Sequence, residues 1–345
     1  MKKPSAHEPQ PVTPWPRRPF SALIAGTGAH VPERVLTNAD LEKMVDTSDQ
    51  WITERTGMKE RHVVAPGEAA SDLAIVACEK ALAEAMVKPD ELDLIIVGTV
   101  TGDMAFPSTA CILQQRLGAA NAAAFDVSAG CTGFIYSLGI ARQFIANGTC
   151  RTALVVGVEV LSKITDWTDR STCVLFGDGA GAAVLKADTD PDKGILATHM
   201  AADGGGGRHL YMPAGGSRLP ATTETVQQHL HTLKMDGNAT FKVAVRSMAD
   251  AVRHLLRQTG LEPEDIKLLI PHQANLRIID ATAKLLKFPS ERVFVNIAKY
   301  GNTSSATTIM ALDEARRAGL VHPGDLVMLV AFGAGLTWGG VIIRF

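Results

Sequence analysis

The sequence predicts an α/β fold made of two copies of one supersecondary unit, and two observations support this prediction. Short apolar runs alternate with amphipathic helical segments from Ala22 to the end of the chain. Such runs are typical of strands that are buried on both faces of a sheet. The order of runs and helices in the first half recurs in the second half, at an offset of about 170 residues.

The first copy begins with a helix over residues 71–86, for which Ser71 is the expected N-cap. Three strands are expected after it, at residues 94–97, 125–127 and 153–156. The second copy begins with a helix over residues 241–259, and Gly260 is its expected end. Its three expected strands are at residues 268–270, 293–295 and 326–330.

The repeat predicts that two similar halves, residues 21–190 and 191–345, pack side by side about a pseudo-twofold axis. Residues 1–20 precede the first half and are rich in proline, with six prolines in the first 19 residues. They have no apolar run of the kind that a signal peptide needs. We expect them to form a disordered tail.

The composition excludes several classes of protein. With 46% hydrophobic and 20% charged residues and a net charge of −2, the chain is expected to be a soluble globular protein without general affinity for nucleic acid or membranes. No apolar stretch is long enough to predict a membrane span. The five cysteines include no C-x-x-C pair, so neither disulfides nor a metal site is expected, and a reducing cytoplasm fits best.

Cys131 is the first candidate functional residue. It lies between the expected strand 125–127 and a helical segment over 135–145, where Gly130 and Gly133 allow a tight bend. A thiol at a helix N-terminus faces unpaired N–H groups and the positive end of the dipole, which favour the nucleophilic thiolate. The structural alternative is a small buried cysteine that packs against the sheet.

Two further strand ends carry distinctive residues, His272 and Asn302, and sites gather beyond the carboxyl ends of parallel strands. A Cys, a His and an Asn in one pocket favour acyl transfer through a thioester, with the backbone N–H groups of Cys131 and Gly333 as the oxyanion hole. The same spacing allows a thiol protease, in which the His activates the Cys. Alone, His272 could be a core histidine and Asn302 a turn residue.

These motifs together resemble the 3-oxoacyl-[acyl-carrier-protein] synthase III family, the initiating ketosynthases of bacterial type II fatty acid synthesis. The resemblance covers the chain from Ala22 onward, and it rests on residues 51–57 (WITERTG), 105–108 (AFPS), 126–134 (DVSAGCTGF), 176–182 (FGDGAGA), 271–277 (PHQANLR), 300–304 (YGNTS) and 335–339 (GLTWG). It implies a thiolase-like fold with α/β/α/β/α layers and a homodimer. Ala334 departs from the three-glycine turn of the family.

The resemblance also implies a reaction in two stages, with Cys131, His272 and Asn302 as the catalytic residues. A short acyl-CoA, commonly acetyl-CoA, acylates Cys131. Malonyl-acyl carrier protein then decarboxylates, and its enolate, held by His272 and Asn302, attacks the acyl-cysteine. No cofactor is implied, since the CoA thioester is a substrate. A related condensing enzyme of secondary metabolism and an inactive ketosynthase-like subunit are the alternatives.

The remaining assignments come from the same resemblance. Those on the substrate side are the nucleotide-site residues Trp51, Arg55 and Arg170, the tunnel residues Asn238 and Asn275, and Phe106, which reaches the acyl pocket of the partner. Those on the carrier-protein side are Gln273, Ala274, Asn275, Leu276 and Arg277. Lys242, Arg246, Arg277 and Lys284 could form a basic patch that attracts an acidic carrier protein.

Overall fold

A computed structural model describes residues 20–345. The expected tail lies outside the described residues, with the exception of Phe20. The Phe20 ring packs against the apolar core, and the guanidinium carbon of Arg151 lies 4.1 Å from its centroid. The predicted boundary of the tail is therefore wrong by one residue, because Phe20 belongs to the folded part.

The described strands are β1 (Ser21–His30), β2 (Val35–Thr37), β3 (Glu60–His62), β4 (Leu94–Gly98), β5 (Ala123–Val127), β6 (Thr152–Val160), β7 (Asp178–Asp188), β8 (Gly194–Ala202), β9 (Leu210–Tyr211), β10 (Lys234–Met235), β11 (Leu268–Pro271), β12 (Leu326–Gly333) and β13 (Thr337–Arg344). The described helices are α1 (Asn38–Leu41), α2 (Asp49–Thr56), α3 (Ala70–Ala85), α4 (Thr109–Leu117), α5 (Gly133–Ala146), α6 (Arg170–Cys173), α7 (Thr223–Gln227), α8 (Gly237–Thr259), α9 (Leu276–Leu286), α10 (Ile297–Tyr300) and α11 (Thr307–Arg317). Short 3-10 turns, among them Gly130–Thr132 and Ser304–Ala306, connect several of these elements.

The two main sheets repeat one topology. The first has the order β1-β7-β6-β4-β5, in which β4 is parallel to β5 and β6 while β7 is antiparallel to both its neighbours. The second has the order β11-β12-β13-β8, in which β11 is parallel to β12 while β13 is antiparallel to both its neighbours. The strands of the first sheet end at Asp188, and those of the second begin at Gly194.

The central layer of the fold consists of α5 and α11. Apolar side chains of both helices join one buried cluster with residues of both sheets, and Phe134, Leu138 and Ile309 are fully buried in it. On the outer side of the first sheet, α3 and α4 pack in a second cluster. On the outer side of the second sheet, α8 and α9 pack in a third. The layers therefore follow the order α/β/α/β/α, and burial of apolar surface between them holds the halves together.

The predicted strand at residues 293–295 is wrong. Val293 forms only an isolated parallel bridge with Leu269. The Gln273 side chain occupies the place of a neighbouring strand, since its Nε2 donates to the Phe294 carbonyl at 3.2 Å and its Oε1 accepts the Asn296 N–H at 3.1 Å. The chain then enters α10, so the second sheet has one strand fewer than the first.

The predicted helix starts also need correction. In α3 the N-cap is Ala69 rather than Ser71, and the Ser71 hydroxyl instead donates to Asp103 at 2.7 Å. Helix α8 begins four residues before the predicted start, because the Asp236 side chain accepts the Ala239 N–H and caps it. Gly260 ends α8 in the left-handed conformation, at φ 69°. Among residues 20–345, no helix is both long and apolar enough to cross a membrane.

Candidate active site

Cys131 lies in a 3-10 turn between β5 and α5. Gly130 enters the turn at φ 53°, and a side chain there would lie 2.9 Å from the Ala334 nitrogen, so the close approach of the two loops needs glycine. Cys131 is buried, with 7% of its surface exposed. The turn directly precedes α5, so the thiol lies at the N-terminus of that helix, as the sequence predicts.

The environment of the thiol contains opposing influences on its charge. Burial raises the pKa of Cys131 to about 11, a hydrogen bond from Ser304 lowers it, the negative charge of Glu159 raises it, and the backbone N–H of Ala334 lowers it. The helix dipole alone predicts an easily formed thiolate. Burial therefore acts against the helix dipole at this thiol.

His272 directly follows β11, and its backbone N–H donates to the Val330 carbonyl at 2.7 Å. Burial lowers the pKa of His272 to about 3, so the imidazole is neutral at physiological pH. No hydrogen bond joins it to Cys131 in the described part of the chain. A neutral, separate imidazole does not fit the thiolate–imidazolium pair of a thiol protease.

The Thr307 hydroxyl controls which His272 nitrogen carries the hydrogen. Thr307 Oγ1 lies 2.6 Å from His272 Nδ1 and 2.9 Å from the Ser304 carbonyl oxygen. Its single proton serves one of these acceptors at a time. When Thr307 donates to Nδ1, the imidazole hydrogen is on Nε2, which can then donate to a ligand.

Hydrogen bonds hold both the backbone and the side chain of Asn302 in place. Its backbone N–H donates to the Leu175 carbonyl at 2.9 Å, and its own carbonyl accepts the Gly177 N–H at 3.1 Å. Its side-chain Oδ1 accepts the Ser304 N–H at 2.8 Å. Because the amide oxygen is engaged within the chain, the Nδ2 group is left to donate to a ligand.

One narrow cavity of about 130 Å³ contains all three side chains. Its wall also includes Gly333 and Asn275 of the sequence-predicted set. The sequence analysis missed most of the apolar wall, which comes from the segment after α6, from β9 and β10, and from α8, α9 and β12. Its residues are Leu175, Phe176, Leu210, Met235, Phe241, Ala244, Met248, Ile278 and Phe332. The amphipathic pattern of α8 could have indicated part of this wall, because a helix that covers a sheet presents its apolar face inward.

Gly333 is the last residue of β12 and packs against the backbone of Cys131. A methyl group on Gly333 would lie 2.5 Å from the Cys131 nitrogen and 2.9 Å from its Cβ. The two backbones therefore approach closely enough to form a shared donor site. Ala334 does not line the cavity, and its methyl group faces Gly130, where a side chain would be 3.2 Å away.

We expect Gly333→Ala to slow the acylation of Cys131 by roughly 10²- to 10³-fold, the usual effect of losing one oxyanion donor. The added methyl group must push the Cys131 N–H out of position. Single-turnover acylation followed by intact mass measures the effect. Gly216→Ala is the matched control, since no atom lies within 4 Å of its added methyl group. Equal acylation by the two variants would contradict the assignment.

Trp51, Arg55 and Arg170 lie outside the cavity and form a cluster of their own. The guanidinium carbons of Arg55 and Arg170 lie 5.3 Å and 5.1 Å from the Trp51 ring centroid. Asn275 connects this cluster with the cavity, because its Nδ2 donates to the Arg55 carbonyl at 3.1 Å. A flat aromatic face beside two cations suits a nucleotide with phosphate groups.

The structure contradicts two of the expected positions. Asn238 is exposed in the first turn of α8 and does not line the cavity, whereas Gly237 and Thr240 do, because the helix turns the Asn238 side chain away. Gln273 is only 1% exposed, and both ends of its amide are bonded within the chain. Gln273 therefore cannot offer its side chain to a carrier protein.

The other residues expected to contact the carrier protein divide into two groups. Ala274 lines the cavity and Leu276 packs in a small apolar cluster beside Trp51, so both are half-buried. The cationic side chains are exposed, namely Lys242, Arg246, Arg277 and Lys284. Phe106 is 85% exposed on a loop before α4. Among residues 20–345, no group of three or more His, Cys, Asp or Glu side chains is placed to hold a metal ion.

Comparison with known proteins agrees with this geometry. The family described as 3-oxoacyl-[acyl-carrier-protein (ACP)] synthase III matches residues 125–204, and its C-terminal part matches residues 256–345. The beta-ketoacyl-[acyl-carrier-protein] synthase III of Caldanaerobacter subterraneus subsp. tengcongensis is 58% identical over 94% of this chain and 98% of its own. That of Xanthomonas campestris pv. campestris is 53% identical over 93% of this chain and 98% of its own.

Solved structures give the same result. The 3-oxoacyl-[acyl-carrier-protein] synthase III of Aquifex aeolicus superposes with a TM-score of 0.86 at 49% identity, covering 94% of this chain and 100% of that one. The priming beta-ketosynthase of the R1128 polyketide pathway superposes with a TM-score of 0.87 at 36% identity, covering 96% and 98%. The chain therefore belongs to the 3-oxoacyl-[acyl-carrier-protein] synthase III family, the initiating condensing enzymes of fatty acid synthesis.

Proposed function

We propose that the protein condenses a short acyl-CoA, such as acetyl-CoA, with malonyl-acyl carrier protein. The products are 3-oxoacyl-carrier protein, CoA and carbon dioxide, and the intermediate is an acyl group on Cys131. One observation carries the proposal: a nucleophile at a helix N-terminus shares a narrow, largely apolar cavity with two uncharged hydrogen-bond donors, His272 and Asn302. The carrier protein in this proposal is inferred from the names of the relatives.

In the first half-reaction the Cys131 sulfur attacks the thioester carbonyl of the acyl-CoA. The backbone N–H groups of Cys131 and Gly333 stabilise the oxyanion, and CoA leaves. In the second, the malonyl thioester oxygen accepts hydrogen bonds from His272 Nε2 and Asn302 Nδ2 while the carboxylate leaves as carbon dioxide. Uncharged donors suit this step because they stabilise the enolate more than the ground state.

The cluster around Trp51 supports CoA as the acyl donor. We expect Trp51→Ala to raise KM for acetyl-CoA by roughly tenfold with little change in kcat, since base–aromatic stacking is worth about 1–3 kcal/mol. Steady-state kinetics with saturating malonyl-carrier protein measures the change. Acetyl-pantetheine, which has no nucleotide, is the control substrate. A KM that rises equally for both donors would contradict a role in nucleotide binding.

The exposed Phe106 supports a homodimer, because a large aromatic side chain at 85% exposure is better accommodated in a partner's pocket than in water. A bulky ring at the end of that pocket favours short primers. The four exposed cations on α8 and α9 support docking of an acidic carrier protein beside the cavity. We further propose that the enzyme needs no cofactor and acts in the cytoplasm, since five free cysteines suit a reducing compartment.

Intact-mass analysis after incubation with a panel of acyl-CoAs tests the proposal. We expect one acetyl group per chain and declining uptake as the acyl chain lengthens. Preferential uptake of a long or aromatic acyl group would instead favour a polyketide-priming role, like that of the R1128 enzyme. The higher identity to the fatty acid enzymes, 58% against 36%, supports the first outcome. Uptake of no acyl group would contradict the proposal.

A further inference from the structure

The two backbone N–H groups of the proposed oxyanion hole belong to different halves of the molecule. Cys131 lies in the turn before α5 in the first half, and Gly333 ends β12 in the second half. Two donors stabilise an oxyanion well only when both are fixed in place before the reaction, because moving them during the reaction costs free energy. A contact between the halves must therefore hold the two N–H groups in register.

Backbone packing alone does not fix this register. A side chain on Gly130 would lie 2.9 Å from the Ala334 nitrogen, so the two segments touch with no side chain between them. In the part of the chain that the structure describes, no backbone hydrogen bond joins residues 129–134 to residues 331–337. Dispersion contact between backbones lacks the directionality of a hydrogen bond, so it does not define one relative position.

A pair of threonine hydroxyls supplies the missing direction. Thr132 Oγ1 lies 2.8 Å from Thr337 Oγ1, although the two residues are 205 positions apart in the chain. Thr132 Oγ1 is also 2.6 Å from the Ala129 carbonyl oxygen, and Thr337 Oγ1 is 2.9 Å from that oxygen and 3.0 Å from the Ala334 carbonyl oxygen. Two oxygens at 2.8 Å repel unless a proton lies between them, so one hydroxyl donates to the other. The second proton then goes to a carbonyl oxygen, and every arrangement keeps the bond between the threonines.

Thr132 does not use its hydroxyl to cap its own helix. It is the N-cap residue of α5, where a threonine hydroxyl usually accepts an N–H of the first turn, but its side chain makes no such bond. Thr132 is 0% exposed, so its hydroxyl must find partners inside the protein. Besides the carbonyl of its own turn, that partner is Thr337 in the other half. Contact between the halves therefore explains this hydroxyl better than the stability of α5 does.

Thr337 is held in place on its own side of the contact. It is the first residue of β13, and its register partners are Gly333 of β12 and Ala202 of β8. The bond from Thr132 therefore ends on the strand neighbour of Gly333 rather than on a free loop. Neither threonine lines the catalytic cavity, so neither touches the substrate.

We propose that this hydroxyl bridge, the bond between Thr132 and Thr337, positions the oxyanion hole by fixing the Cys131 N–H relative to Gly333 across the boundary of the two halves. The inference rests on the proposed function, since the oxyanion concerned is that of the acyl transfer. Both threonines are positioning residues, and they act on acylation through the backbone rather than through the sulfur.

The main test compares alanine with serine at each position, because these two side chains differ only by the bridging hydroxyl. We expect Thr132→Ala and Thr337→Ala to slow single-turnover acylation at saturating acetyl-CoA by roughly tenfold, about the effect of one neutral hydrogen bond. Intact mass measures the rate. Thr132→Ser and Thr337→Ser should keep the rate of the unmodified protein. Equal rates in the alanine and serine variants would overturn the proposal.

Two further measurements separate positioning of the oxyanion hole from other roles. The double alanine variant should be no slower than the slower single variant, because either replacement breaks the same bond, whereas independent roles would multiply to roughly a hundredfold. Alkylation of Cys131 by iodoacetamide forms no oxyanion, so its rate should be unchanged in the alanine variants. Equal losses of alkylation and acylation would show that the sulfur itself has moved, and would overturn the assignment to the oxyanion hole.

Amide hydrogen exchange tests the hydroxyl bridge without any acyl donor. Thr132→Ala should speed exchange in peptides that contain residues 333–337, and Thr337→Ala should speed it in peptides that contain residues 129–134. The matching serine variants are the controls. A change confined to the segment that carries the substitution would overturn the bridge.

Failure of the hydroxyl bridge and failure of the proposed function are therefore distinguishable. If the unmodified protein takes up no acetyl group but exchange rises across the two halves, the bridge stands and only the function is rejected. If acylation is normal in the unmodified protein and in both alanine variants, the function stands and the bridge is rejected. If Thr132→Ala does not fold, as judged by thermal unfolding, Thr337→Ala and its serine counterpart decide.

Discussion

Replacement of Cys131 by serine is expected to abolish the acyl-enzyme. Incubation of the variant with labelled acetyl-CoA should leave no label on the protein after denaturation, and overall condensation should fall by at least about a thousandfold. The physical reason is that a serine hydroxyl ionises far less readily than a thiol in the same buried position. The dipole of α5 cannot compensate for that difference.

The matched control for this experiment is Cys111→Ser, because Cys111 carries an exposed free thiol and does not line the cavity. That variant should take up one acetyl group with unchanged kinetics. If the label persisted in Cys131→Ser but disappeared in Cys111→Ser, the acyl group would be on Cys111, and the proposed mechanism would be rejected.

Replacement of His272 or Asn302 by alanine is expected to separate the two half-reactions. Each variant should lose malonyl decarboxylation by roughly 10²- to 10³-fold, the usual loss for one oxyanion donor. Each should keep much of the acetyl transfer to Cys131, because His272 is neutral and shares no hydrogen bond with the thiol. Release of labelled carbon dioxide reports the decarboxylation, and intact mass reports the acetyl transfer to Cys131.

Matched controls for these variants are His322→Ala and Asn147→Ala, which remove an exposed imidazole and an exposed amide elsewhere on the surface. Both should leave decarboxylation and acylation unchanged. If His272→Ala and Asn302→Ala instead lose acylation first, a protease-like pair of histidine and cysteine would be the better explanation. The neutral state of His272 argues against that result.

Much of the framework follows from local sequence. The apolar runs that lead to Cys131 and His272 are strands, and Gly260 ends α8 as its conformational freedom predicts. The region around residues 293–295 shows where this reasoning fails. Its apolar residues have the pattern of a strand, but the side chain of the distant Gln273 takes the hydrogen bonds of a strand partner. Propensity cannot anticipate such a replacement.

The candidate site shows the same division. Strand-end position and residue type selected Cys131 and His272, which follow β5 and β11, since catalytic side chains gather at the carboxyl ends of parallel strands. Asn302 was selected from a predicted strand that does not form, and it follows α10 instead, although its side chain lines the same cavity. The sequence alone did not indicate that Glu159 of β6 is fully buried, because nothing in its local pattern distinguishes it from an ordinary strand residue. Folding brings its carboxyl to Ser304, 145 residues away in the chain, whose hydroxyl donates a hydrogen bond to it.

Short segments of the sequence therefore identify the candidate reactive residues, because strand periodicity, turn glycines and the identity of a nucleophile are properties of short segments. Folding sets how readily they react. The charge of the Cys131 thiol, the neutrality of His272 and the raised pKa of Glu159 all come from burial between two sheets. The loss of water around a group depends on every segment packed against it, and segments far apart in the chain supply that packing.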